Sequence, residues 1–133
     1  MSAQARGHEP SLYDAIGGEA GVRRLTRRMY ELMDTLPEAA ACRAIHPPSL
    51  SGSEQKLFEF LSGWLGGPPL FVEKHGPPML RRRHFVAAIG PAERDGWIAC
   101  FEGAMAETVD SLALRAALRE PVLRMAFHMQ NRE

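Results

Sequence analysis

Glycine and proline cut this chain into helix-length pieces. They cluster at 16–18 (IGG), 46–48 (HPP), 66–69 (GGPP), 76–78 (GPP) and 90–91 (GP). Each cluster stops or redirects regular structure. Between them apolar residues recur at three- and four-residue spacing, while alternating runs are nearly absent and β-branched residues are few. This pattern predicts an all-α fold, and 133 residues suit a single domain with a real core.

The pieces read as follows. SLYDAIGG (11–18) is a short helix that Ser11 caps and Gly17 and Gly18 end. Residues 19–36 form an amphipathic helix with Val22, Leu25, Met29, Met33 and Leu36 on one stripe and Tyr30 at its edge. Residues 53–67 form another, with Leu57, Phe60, Leu61 and Trp64 on one face. Ser53 lies one turn earlier, either capping that helix or facing whatever the stripe covers. The helix at 91–109 starts on a first-turn proline and buries Trp97, Phe101, Ala104 and Met105. The last, 111–131, contains Pro121, which should kink or split it. Residues 66–90 read as loop-rich, and 1–10 as a short polar tail before a domain at 11–133.

Sixteen basic residues balance sixteen acidic ones. A dedicated nucleic-acid binder normally carries a positive excess, so the balance argues against that class. Cys42 and Cys100 have no metal-ligand or haem-attachment spacing. They read as thiols of a reducing compartment. No apolar run reaches the roughly 18 residues of a membrane span, and the first ten residues lack a signal core. A cytoplasmic protein without a membrane partner is expected. P-loop, GxSxG, HExxH and dinucleotide fingerprints are all missing.

The stretch GPPMLRRRHFVAAIG (76–90) poses the main chemical question. His84 follows three arginines and sits between Leu80 and Phe85. A histidine beside apolar residues is commonly structural, but an imidazole so placed is also a good axial ligand for a haem iron. Arg81, Arg82 and Arg83 are a solvated basic face, a phosphate or RNA contact, or partners for ligand carboxylates. Tyr30, Trp97 and His46 are polar-tipped rings that fit either a core or a site.

The order of motifs narrows these alternatives. LYDAIGG (12–18), RRMYELM (27–33), AIHP (44–47), KLFEFLSGWLGGPPLFVEKHG (56–76), MLRRRHF (79–85) and AERDGWIACF (92–101) together resemble the group II truncated haemoglobins. The resemblance spans about residues 11–130. It implies a globin-like, truncated two-over-two helical sandwich around one non-covalent haem b. His84 matches the proximal iron ligand. Trp97 and Tyr30 match distal hydrogen-bond donors, and His46, Ser53 and Leu57 fall on other ligand-facing positions. Phe60, Leu65, Phe71, Met79, Phe85 and Met105 fall on haem-contacting positions. Lys56 and Arg83, with Arg81 a weaker candidate, fall where propionate partners occur. Two departures stand out: Pro77 replaces a histidine of the loop before the proximal helix, and Phe85, Val86 and Ala87 follow His84 where proline is frequent.

The resemblance implies binding of O2, CO, NO or peroxide by a monomer or weak homodimer. Donors aimed at a ligand that develops negative charge would make O2 release slow. Such a site suits protective or enzyme-like redox chemistry with nitric oxide or peroxide, using a reductase, and His46 would add a pH dependence. A ligand-sensing or storage module without turnover is the alternative. A helical anion or nucleic-acid binder built on the three arginines is a more distant one.

Overall fold

The computed structural model describes residues 11–133. The tail expected at 1–10, with His8, lies outside the described residues. The helices are α1 (Leu12–Ile16), α2 (Gly18–Thr35), α3 (Ala40–Ala44), α4 (Ser51–Trp64), α5 (Leu70–His75), α6 (Leu80–Arg83), α7 (Pro91–Thr108) and α8 (Leu112–Met129). 3-10 turns occupy Pro37–Ala39 and His84–Val86. The described residues contain no strand. The protein is all-α, as expected.

Helix α2 packs against α7 and α4, and α8 packs on α7, so two long helices lie over two others. The stripe on α2 drives this arrangement. Val22, Leu25, Met29 and Met33 are all at most 1% exposed. Each such side chain contributes roughly 1.5–3 kcal/mol relative to exposure, so burial rather than helix propensity orients α2. From α7, Cys100, Phe101 and Ala104 meet that stripe in one core that also takes in Leu118 and Val122 of α8.

Local chemistry sets the helix ends. The Ser11 hydroxyl accepts the Asp14 N–H at 3.0 Å, and Gly17, at φ 109°, closes α1. In the first turn of α7 the Glu93 carboxylate accepts the Gly90 N–H at 2.8 Å. Gly96 permits a close crossing. A Cβ there would lie 3.0 Å from both the Cys42 Cβ and the Glu38 carbonyl oxygen. Helix α7 thus sits tight on α3, which holds Trp97 beside the segment bearing His46.

Three expectations need correction. Helix α4 starts at Ser51, not Ser53, and its N-cap residue is Leu50, so Ser53 lies inside the first turn. Its core face is Phe58, Leu61 and Ser62, whereas Trp64 is 37% exposed and stacks on Phe60. Within the region read as loop-rich, Leu70–His75 forms a helix that buries Phe71. Finally, of the kink and the split offered for Pro121, the split does not occur: α8 runs unbroken from Leu112 to Met129. An interior proline costs a helix about 3 kcal/mol. Leu118 and Val122, at 1% and 2% exposure, flank Pro121 and supply the burial that offsets this cost.

Candidate functional site

Helix α6 is only four residues long, and neither it nor the following 3-10 turn buries a residue. His84 begins that turn and is exposed. Its Nδ1 lies 2.7 Å from the Leu80 carbonyl oxygen. A carbonyl can only accept, so Nδ1 carries the hydrogen and Nε2 keeps a free lone pair. A backbone carbonyl that fixes the tautomer in this way is the usual support for a metal-binding histidine.

His84 lines a cavity of about 490 Å³. Its wall is predominantly apolar, and the volume falls in the roughly 300–1,000 Å³ range of cofactor and ligand pockets. Ten of the residues singled out from the sequence meet here. Besides His84, Tyr30, His46 and Trp97 bring polar-tipped rings, and Ser53 and Leu57 come from α4. Phe60 and Phe71 pack edge to face at 6.3 Å on another part of the wall, which also includes Lys56 and Arg83.

The other five are placed elsewhere. Leu65 and Met105 belong to the main core. A buried stripe on a helix can face a core or a cavity, and spacing does not distinguish them. Met79 and Phe85 are 48% and 55% exposed, Met79 in a left-handed conformation at φ 41°. Arg81 turns away from the cavity wall, donating from Nη1 to the carbonyls of His128 and Gln130 at 2.8 and 2.9 Å.

The polar groups of the cavity differ in what they can donate. Tyr30 is 6% exposed, and its hydroxyl has no hydrogen-bond partner among the described residues. Burial, with a smaller effect from Cys42, pushes its phenol well above the usual tyrosine range, so it remains a protonated donor. Trp97 stacks parallel to Phe101 at 6.1 Å, and its indole N–H can only donate. His46 meets the Tyr30 ring edge-on at 6.0 Å and donates from Nδ1 to the Cys42 carbonyl at 2.8 Å. Its neutral ring therefore offers Nε2 as an acceptor; only the protonated ring donates there.

Several lining residues escaped the sequence reading, among them Cys42, Glu93, Arg94, Met125 and His75. Burial pushes the Cys42 thiol up to about 12 and that of nearby Cys100 up to about 11. Both stay protonated thiols near neutral pH and are poor nucleophiles or metal ligands. The His75 Nε2 donates to Glu59 Oε1 at 2.9 Å. The histidine in "KHG" is the one signal that pointed to this position. Arg83 donates from Nη2 to the carbonyls of His75 and Pro77, each at 3.0 Å, across the loop where Pro77 departs from the group II pattern.

The residues present fit a haem. Among the described residues no group of three or more His, Cys, Asp or Glu gathers as a metal site. A metal held by His84 must bring most of its ligands with it, as a porphyrin-bound iron does. An apolar wall suits a macrocycle. The exposed cations Lys56 and Arg83 suit its carboxylates. No helix among the described residues is long and apolar enough to cross a membrane.

Comparison with known proteins gives the same picture. A family model described as bacterial-like globin matches residues 11–131. The chain is 37% identical over 112 residues to the group 2 truncated hemoglobin YjbI of Bacillus subtilis (strain 168), covering 81% of this chain and 76% of that protein. Among solved structures it matches the group II 2-on-2 hemoglobin of Agrobacterium tumefaciens with a TM-score of 0.93 and 65% identity, over 100% of both chains. It also matches the truncated oxygen-avid haemoglobin of Bacillus subtilis with a TM-score of 0.82 and 35% identity, over 91% of this chain and 99% of that one.

Proposed function

This chain belongs to the bacterial-like globin family, as a group II truncated haemoglobin, and from that premise we propose that it binds O2 tightly at a non-covalent haem b held by His84, with Tyr30 and Trp97 as the donors that retain the ligand. Membership of the family carries haem-based binding of O2 and related small gaseous ligands. The observation that carries the finer reading is the His84 geometry. A 2.7 Å bond from Nδ1 to the Leu80 carbonyl leaves Nε2 free on a cavity that Tyr30 and Trp97 also line.

When bound, the haem iron supplies reversible coordination of a diatomic molecule. The side chains do the rest. Leu57, Phe60 and Phe71 exclude water and lower the local dielectric, which strengthens every polar contact in the cavity. Tyr30 and Trp97 offer an O–H and an N–H to a ligand oxygen that carries partial negative charge. Hydrogen bonds to a charged group contribute about 1.5–3 kcal/mol each. Lys56 and Arg83 anchor the haem carboxylates at the exposed side.

The same donors suit redox chemistry with nitric oxide or peroxide when a reductase supplies electrons. Arg81 is turned onto the carbonyls of His128 and Gln130, so the three arginines do not form one continuous free basic face for a nucleic-acid backbone.

The visible spectrum of the purified protein tests the proposal. A strong Soret band that His84→Gly abolishes or shifts, and that added imidazole restores, is expected. A wild-type protein that takes up no added haem would overturn it. Nitric oxide consumption in the presence of a reductase, compared with simple ligand affinity, separates turnover from binding alone.

A further inference from the structure

The segment bearing His84 has almost no core packing of its own. Neither α6 nor the His84–Val86 turn contains a buried residue. The polypeptide enters α6 through Met79 at φ 41°, a left-handed conformation that side chains rarely adopt. Something else must fix the height and tilt of the imidazole.

The residues that follow α8 hydrogen-bond to the backbone around it. The Asn131 side chain accepts the Ile89 N–H at Oδ1 (2.9 Å) and donates from Nδ2 to the carbonyls of Ala87 (3.0 Å) and His84 (3.3 Å). Its own backbone N–H donates to the Ile89 carbonyl at 2.8 Å, and that of Arg132 donates to the same oxygen at 3.0 Å. One amide thus grips the His84 turn at three points, two as donor and one as acceptor. A carboxamide supplies what these contacts need at once, two N–H donors beside an acceptor oxygen. The clamp is itself anchored. Arg94 of α7 donates to Gln130 Oε1 at 2.6 Å and covers the Phe127 ring at 4.0 Å. Arg94 lies three residues before Trp97, so one brace connects the His84 turn to the helix that carries a distal donor.

We propose that Asn131 is a positioning residue for His84: its carboxamide holds the carbonyls of His84 and Ala87 and the N–H of Ile89, and so sets the orientation of the imidazole toward the haem iron. The inference rests on His84 being the iron ligand. Supporting groups one step removed from a metal ligand typically change metal affinity by about ten- to hundredfold when lost.

The test uses the haem-loaded protein and three variants. Asn131→Ala removes all three contacts. Asn131→Asp keeps the shape and the acceptor but loses both donors. Thr108→Ala breaks a 2.8 Å hydrogen bond to the Ala104 carbonyl at the far end of α7 and serves as a structural control. Haem transfer to an excess of a scavenging apoprotein is followed, and the ferrous iron–histidine stretching band is recorded by resonance Raman spectroscopy. Both Asn131 variants should release haem about ten- to hundredfold faster and shift or broaden that band, while Thr108→Ala leaves the band in place. Release within twofold of wild type with an unmoved band, in either Asn131 variant, overturns the inference. So does an equal band shift in Thr108→Ala. An iron–histidine band in wild type that vanishes in His84→Gly keeps the functional reading intact in those cases, whereas its absence from wild type removes that reading first.

Discussion

Tyr30 shows how burial and function meet in one side chain. Packing against the core holds the phenol in place, and the same burial keeps its hydroxyl protonated across the ordinary pH range. Tyr30→Phe keeps the ring and removes the donor, and Trp97→Phe does the same for the indole. Each should speed O2 release about ten- to hundredfold, since about 1.4 kcal/mol corresponds to tenfold. Stopped-flow displacement of O2 by CO checks this, and unchanged rates in both variants would remove these residues from the ligand contact. His46 differs because its Nδ1 hydrogen is committed to the Cys42 carbonyl. Its remaining ring nitrogen, Nε2, accepts rather than donates, so His46→Leu should change O2 release less than the loss of the Tyr30 or Trp97 donor does. These roles were only partly legible in the sequence. Spacing alone leaves His84 open between a structural histidine and an axial ligand, and Tyr30 and Trp97 as polar-tipped rings of either a core or a site; the joint order of motifs singles them out. The hydrogen-bond direction at His46 depends on where a carbonyl four residues earlier points, which no side-chain pattern encodes.

Helix α4 divides its labour between two faces. Phe58, Leu61 and Ser62 pack into the core, while Ser53, Leu57 and Phe60 line the cavity. Glu59, 4% exposed, lies between these roles and accepts hydrogen bonds from Gln55, Lys74 and His75, each at 2.9 Å. Gln55 in turn accepts from Arg23 at 2.7 Å, so the network joins α2, α4 and α5. Burial opposes the charge on Glu59, but the three donors outweigh it and hold its carboxyl down at about 2. A depressed native pKa stabilises the fold above the unfolded value near 4.5, and this contribution is lost as pH falls toward 2. Glu59→Gln should therefore lower stability near neutral pH by about 1–3 kcal/mol and flatten the acid limb between those two values. Urea melts at a series of pH values measure both, and an acid limb identical to wild type would rule out Glu59 as its source. The apolar stripe correctly oriented α2 and the core part of α7. It missed Glu59, because a charge on a helix is read as solvent-facing until its partners on α5 are known. Helix α5 escaped notice because it is six residues between two proline pairs, too short for periodicity to register.

The cavity belongs to the whole molecule, since every helix except α1 contributes to its wall. Its volume follows from how the long helices cross, and that depends on local permissions such as Gly96. A group that fills it touches nearly every element at once, so binding couples directly to folding. A ligand that binds only the native state stabilises it by about 1.4 kcal/mol for each tenfold excess of free ligand over its dissociation constant. For a domain of this size each such step raises Tm by roughly 3–6 °C. The haem-loaded protein should therefore melt well above the haem-free protein at equal concentration. His84→Gly, which removes the proposed iron ligand, should narrow that gap without much change in the haem-free Tm, because His84 is exposed and no buried residue surrounds it on its turn. Calorimetry of both forms of both proteins decides the matter. A gap in His84→Gly as wide as in wild type would place the binding energy in the apolar wall alone. A large fall in the haem-free Tm would instead make His84 a structural residue.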